Sequence, residues 1–106
     1  MTVKNIPLTS DFSASRIEVS LDNELFQFRS YWNKRTQGWY VDIIKLNDDS
    51  TRDILQRGAR LRPSSTPLLS SARNEIDGEI VCVGSTRYRR NDLGERLRLL
   101  YVTSED

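Results

Sequence analysis

The stretch 31-YWNKRTQGWYVDI-43 decides how this chain folds. Tyr31 and Trp32 are mirrored by Trp39 and Tyr40 across a polar loop, NKRTQG, that ends in a glycine. That is the pattern of a β-hairpin, and the run WYVDIIKL that follows is rich in the β-branched and aromatic residues that suit a strand. Successive side chains of a strand face opposite ways, so each tryptophan adjoins a tyrosine pointing to the other face. One ring of each pair is expected in a core and the other nearer the solvent. Rings opposed across two strands stabilise a hairpin by ~0.2–1 kcal/mol per pair. Arg29, Lys34 and Arg35 surround the loop and bring guanidinium and ammonium groups to the rings.

Outward from the hairpin the period stays at two. Ile17, Val19 and Leu21 alternate with Arg16, Glu18 and Ser20, a half-buried strand. Asp22 and Asn23 supply turn chemistry, because both tolerate the left-handed backbone region. The next strand, residues 25–32, puts Phe26, Phe28 and Trp32 on one face and Leu25, Gln27, Arg29 and Tyr31 on the other. After NDDS, residues 53–62 continue the meander with a bulge or kink at Gly58. A helix competes for TRDILQRGARL, but the mid-segment glycine and the strand-like neighbours disfavour it. RPSSTPLLSSARN is the loosest region, with Leu68 and Leu69 as an apolar plug or very short strand. Asp77-Gly78 marks a turn, residues 79–83 a compact apolar strand, RYRRNDLG a charged connection and residues 96–103 a last alternating strand. The sum is all-β: a small antiparallel β-barrel or sandwich of about six to seven strands. Residues 1–10 are expected as a polar N-terminal arm and residues 11–106 as a single β domain.

Composition narrows the function. The chain has 106 residues, 29% of them charged, yet a net charge of only +1, so it exerts no global pull on nucleic acid, membrane or acidic substrate. Of its 16 cationic residues 13 are arginine, whose rigid fork suits carboxylates and ring faces and hence an interface. There is no histidine, which removes the commonest general base and metal ligand. The lone Cys82 lies between valines as a small buried hydrophobe, and one cysteine cannot build a zinc site. The five glycines are scattered singly and cradle no phosphate. Ser64, Ser65, Ser70 and Ser71 have no base beside them, and the acid pairs Asp48-Asp49 and Glu105-Asp106 fall in a turn and a tail. No catalytic, cofactor-binding or metal residues are therefore expected. No apolar run is long enough to cross a bilayer, and the expected compartment is a reducing cytoplasm unless a larger assembly carries the chain out.

Two classes of interaction remain. Tyr31, Trp32, Trp39 and Tyr40 with Lys34 and Arg35, and the run RYRR at 87–90, have the composition of a single-strand nucleic-acid groove. Asp42, Asp48, Asp49, Asp53 and Asp92 stand close by in sequence, whereas phosphate binding needs local positive charge. Packing is the favoured role for the rings. The residues expected to meet a partner are Arg29, Tyr31, Arg35, Tyr40, Arg87, Arg89 and Arg90.

An opening IPL, the hairpin YWNKRTQGWYVDI and a closing DLGERLRLLYV, in that order, resemble the small baseplate plug proteins of contractile-tailed phages. The resemblance runs from Ile6 to Val102. It is carried by Tyr31, Asn33, Arg35, Trp39 and Asp42 in the hairpin and by Asp92, Gly94, Leu100 and Tyr101 near the end. The Ser/Pro-rich middle, residues 56–74, departs from it. The resemblance implies one compact β domain and a virion component of the tail baseplate, assembled in the host cytoplasm. It also implies hub, spike and tail-tube proteins as partners, and a homotrimer in the assembly. The alternative is a small β-barrel that binds single-stranded nucleic acid.

Overall fold

A computed structural model describes residues 2–21, 23–63, 67–69, 78–85 and 87–103. Among the described residues seven strands form two antiparallel sheets: β1 (Thr2–Ile6), β2 (Ala14–Leu21), β3 (Glu24–Asn33), β4 (Gly38–Leu46), β5 (Arg52–Arg60), β6 (Glu79–Gly84) and β7 (Leu97–Thr103). The larger sheet is the meander β2-β3-β4-β5; the smaller has the order β1-β7-β6. One core fills the space between them, drawing Phe26, Phe28, Trp39, Val41 and Ile43 from the larger sheet and Ile6, Ile80, Cys82, Leu97 and Leu99 from the smaller. The only helical element among the described residues is a single 3-10 turn, Arg90–Asp92. The architecture is the expected all-β sandwich, at the upper end of the expected strand number.

The meander follows from the alternation. Phe26, Phe28, Ser30 and Trp32 on β3 face Lys45, Ile43, Val41 and Trp39 on β4 across the inner side of the sheet. At the β2–β3 turn Asn23 takes the left-handed conformation (φ 66°) that its short polar side chain allows. Gly58 lies at φ 64° where the β4–β5 register shifts around Ile43, the expected bulge. Its N–H is taken by Asp42 Oδ1 at 2.7 Å. TRDILQRGARL is accordingly strand, with Ile54 exposed and Leu55 against the core.

The expected polar arm is instead largely structural. Residues 2–6 form β1, paired residue for residue with β7 from Thr2↔Thr103 to Ile6↔Leu99, and Ile6 and Leu8 enter the core. Short-range pattern could not show this, because of residues 3–6 only Ile6 is a core side chain and the partner strand lies at the far end of the sequence. Lys4 reaches across to the other sheet, donating from Nζ to the Ser20 carbonyl at 2.7 Å. Leu69 fulfils the expectation of a plug with a short strand-like contact: it is buried and forms a two-way backbone bridge with Ile80. Asp77, half of the expected Asp-Gly turn, and most of the Ser/Pro-rich region lie outside the described residues.

Cys82 sits in the core on β6, opposite Leu99. Burial pushes its thiol up from 9.0 to about 12. In the unfolded chain the thiol ionises near 9, whereas the folded one keeps its proton until about 12. Between those values the unfolded state binds fewer protons than the native state, so this group's contribution to stability falls as pH rises through the window and is constant below it. Urea midpoints measured at pH 8 and pH 10–11 should therefore drop less for Cys82→Val than for the parent chain. A thiol reagent at pH 8 should react only on the unfolding timescale. Rapid labelling of the folded protein would show the thiol to be accessible.

Candidate functional site

The register of the four-stranded sheet lays its outer side out in rows. Ala14, Tyr31, Tyr40 and Arg60 form one row; Arg16, Arg29 and Asp42 form the next, closed by the Gly58 bulge. Three of the expected partner-facing residues, Arg29, Tyr31 and Tyr40, are thus neighbours on one face. The two tyrosine rings stack on each other at 5.8 Å between centroids and 14° between planes. The tryptophans meet on the opposite, inner side, edge to face at 5.6 Å and 61°. Trp39 is fully buried and Trp32 half-buried against the core. Each Tyr/Trp pair is split between the two faces as the pleat requires.

Several polar groups around the rings have defined partners. Asn33 starts the turn, its Oδ1 accepting the N–H groups of Arg35 and Thr36 at 2.9 and 3.2 Å. Tyr40 donates its hydroxyl to Thr36 Oγ1 at 2.9 Å. Burial, then the Asp42 carboxylate, then Tyr40 hold the Tyr31 hydroxyl above its ordinary value. The Asp42 carboxylate receives a backbone N–H, that of Gly58, and no arginine of its own sheet. Its cross-strand neighbour Arg29 turns along its own strand to Gln27 Oε1 at 3.1 Å. The bulge explains this: it points an otherwise orphaned N–H at the carboxylate. The guanidinium over a ring belongs to Arg60, 6.0 Å from the Tyr40 centroid, and not to Arg29 or Arg35. Arg35 stands exposed at the tip of the turn.

Arg87, Arg89 and Arg90 form a separate group on a segment that two hydrogen bonds tie to the hairpin at Trp39 and a third to Leu61 after β5. Trp39 Nε1 donates to the Arg90 carbonyl at 2.8 Å, and the Trp39 N–H donates to the Tyr88 hydroxyl at 3.2 Å. Tyr88 in turn donates to the Leu61 carbonyl at 2.9 Å. Asp92 accepts the Arg89 N–H at 2.7 Å and fixes the 3-10 turn. Two hollows flank Tyr88. One, of about 520 Å³, is lined by Arg87, Arg89, Asn91, Asp92 and Arg96; the other, of about 360 Å³, by Arg60, Arg62 and Pro63. Arg60, Arg62 and Arg96 were missed by sequence reasoning because β5, its exit and the start of β7 meet the 87–90 segment only in three dimensions.

The described residues form a single ion pair, Lys45 to Glu24 at 3.2 Å, and none of their twelve arginines is in one. Among the described residues no cluster of metal-ligating side chains forms. What the arrangement offers chemically is hydrogen-bond donors and positive charge for another molecule's acceptors.

Comparison with known families decides the identity. A family model described as cyanophage baseplate Pam3 plug gp18 matches residues 3–105. The chain belongs to this baseplate plug family. The match takes in every strand, from β1 to β7, and both the hairpin and the arginine segment. It also takes in the Ser/Pro-rich middle, where the motif resemblance lapses. No curated protein matches the chain. In the plug-family chain the inner rings of the hairpin belong with the core, while its outer row and the arginine segment lie at the surface.

Proposed function

We propose that this chain is a structural, non-enzymatic component of a phage contractile-tail baseplate. It packs with the central hub and spike proteins and helps to close or line the tail-tube channel. The observation that carries this reading is the family match over residues 3–105. The surface supports it. Arginines without carboxylate partners and half-exposed apolar side chains on the outer side of the three-stranded sheet, Val81, Val83, Leu100 and Val102, suit a part that is covered in an assembly. The symmetry of baseplate hubs makes a homotrimer the stoichiometry this role implies, and the tail baseplate of the virion its location.

Single-strand nucleic-acid binding is the competing reading, and the local positive charge beside Tyr88 favours it. The rings do not. Trp39 is buried, Trp32 packs on the core, and Tyr31 and Tyr40 spend a face each on one another, so the hairpin rings form no open row on which successive bases stack. A tagged purification from induced source cells tests the assignment. Tail-tube, hub and spike proteins recovered with baseplate-like particles are the expected result. A lone protein, or one carrying nucleic acid that salt strips away, would reverse the order of the two readings.

A further inference from the structure

We propose that the two hollows flanking Tyr88 are the surface by which this chain docks on a carboxylate-bearing face of a neighbouring protein subunit. The proposal rests on the baseplate reading for the presence of such a neighbour, and on the geometry alone for the surface and its chemistry.

The charge is concentrated there. Arg60, Arg62, Arg87, Arg89 and Arg96 line the hollows against one carboxylate, Asp92. Five positive charges and one negative leave +4 at this end, and because the whole chain carries +1 the remainder carries −3. A near-neutral protein is thus polarised, and its positive end is unneutralised: none of the five guanidinium groups is in an ion pair. The one carboxylate among them is already engaged by the Arg89 backbone N–H.

The surface is also held in place. Tyr88 is locked by bonds to Trp39 and Leu61, and the Arg90 carbonyl by the Trp39 indole, so the arginine segment is braced on a fully buried ring of the core. Bracing of this kind lowers the ordering cost that weakens most exposed ion pairs. Carboxylate is favoured over phosphate on two grounds. The hollows contain arginine and no lysine, the bias of protein interfaces, where arginine is enriched and lysine depleted. Their one ring, Tyr88, has its hydroxyl tied inward and packs on the core, so nothing there stacks on a base.

The test complements source cells lacking the chain with wild type or with the Arg87→Glu/Arg89→Glu pair, and measures the chain's occupancy in purified tails by quantitative mass spectrometry. Arg52→Glu/Arg57→Glu, on the far β5 stretch, serves as the charge-matched control. Melting curves of the purified variants confirm folding. The reversed pair should fall at least about tenfold in occupancy while the control stays at the wild-type level. In tails carrying Arg89→Lys, a carbodiimide should couple the new amine to an aspartate or glutamate of a neighbouring subunit. Undiminished occupancy of the reversed pair, or no such cross-link, would overturn the proposal. Absence of wild type itself from tails would instead remove the baseplate reading. An oligothymidine strand bound by wild type at about 150 mM salt and released by the same reversal would transfer the surface to nucleic acid.

Discussion

Trp39→Ala is expected to unfold this protein or to lower its melting temperature by roughly 15–30 °C. Removing a large buried aromatic costs ~3–5 kcal/mol, and each kcal/mol moves the midpoint of a domain this size by about 4–8 °C. The total stability of such domains is only about 5–15 kcal/mol. Trp39 is fully buried, and two other segments bond to it. Its carbonyl receives the Leu61 N–H at 2.8 Å, its own N–H reaches Tyr88, and its indole holds the Arg90 carbonyl. The alanine variant would leave both a cavity and a carbonyl without its donor. Trp39→Phe keeps most of the volume and loses the indole bond, so it should cost far less, about 1–2 kcal/mol. Thermal unfolding followed by far-ultraviolet circular dichroism separates the two. A melting shift of only a few degrees for the alanine variant would mean that the ring is not the centre of the core. The same residue braces the arginine end, so partial unfolding there should weaken partner binding before the sheets are lost.

Gly84→Ala is the second large effect, expected at about 2–5 kcal/mol. Gly84 ends β6 at φ 133°, a conformation that side chains rarely adopt, and strain of this kind costs ~1–3 kcal/mol. An added Cβ would also land on the Arg96 carbonyl oxygen, inside any acceptable contact, and overpacking adds ~1–3 kcal/mol. That carbonyl is not free to retreat, because it accepts the Ser85 N–H at 2.8 Å. Gly58→Ala is the informative contrast. It too has a positive φ, but its Cβ would meet only the Tyr31 hydroxyl at an ordinary 3.5 Å, so it should cost about 1–2 kcal/mol for the left-handed backbone alone. Urea midpoints of the two variants should differ clearly. Equal midpoints would show that backbone conformation, and not the Arg96 collision, sets the cost at Gly84.

The hairpin was legible because its information is local. Ring order, loop length and the period of two are all set within residues 31–43, and they fixed that one ring of each Tyr/Trp pair faces the core and the other the opposite side. The bulge at Gly58 was legible for the same reason. The partner of Asp42 was not, since the bulge that aims the Gly58 N–H at it involves a strand sixteen residues away, and the arginine across the pair had a nearer acceptor in Gln27. The candidate interaction residues fared unevenly. Arg29, Tyr31 and Tyr40 do share a face, as pleat and register dictate. Arg87, Arg89 and Arg90 are accessible as a run of charge suggests, but their neighbours Arg60 and Arg62, at the end of β5, and Arg96, just before β7, come from distant parts of the chain.

Alternation, turn chemistry and the residue types that are missing were enough, by themselves, to make this chain an all-β domain without the usual catalytic groups, and motif order pointed to its family. Those features are short-range: they depend on side-chain period and backbone preference over a few residues. Only the tertiary structure decided that residues 2–6 are a strand pairing with the last one, and that three separated stretches pool their arginines beside Tyr88. Such pairings are settled by non-local burial and by which distant backbone groups can satisfy one another, and neither is written in any single window of the sequence.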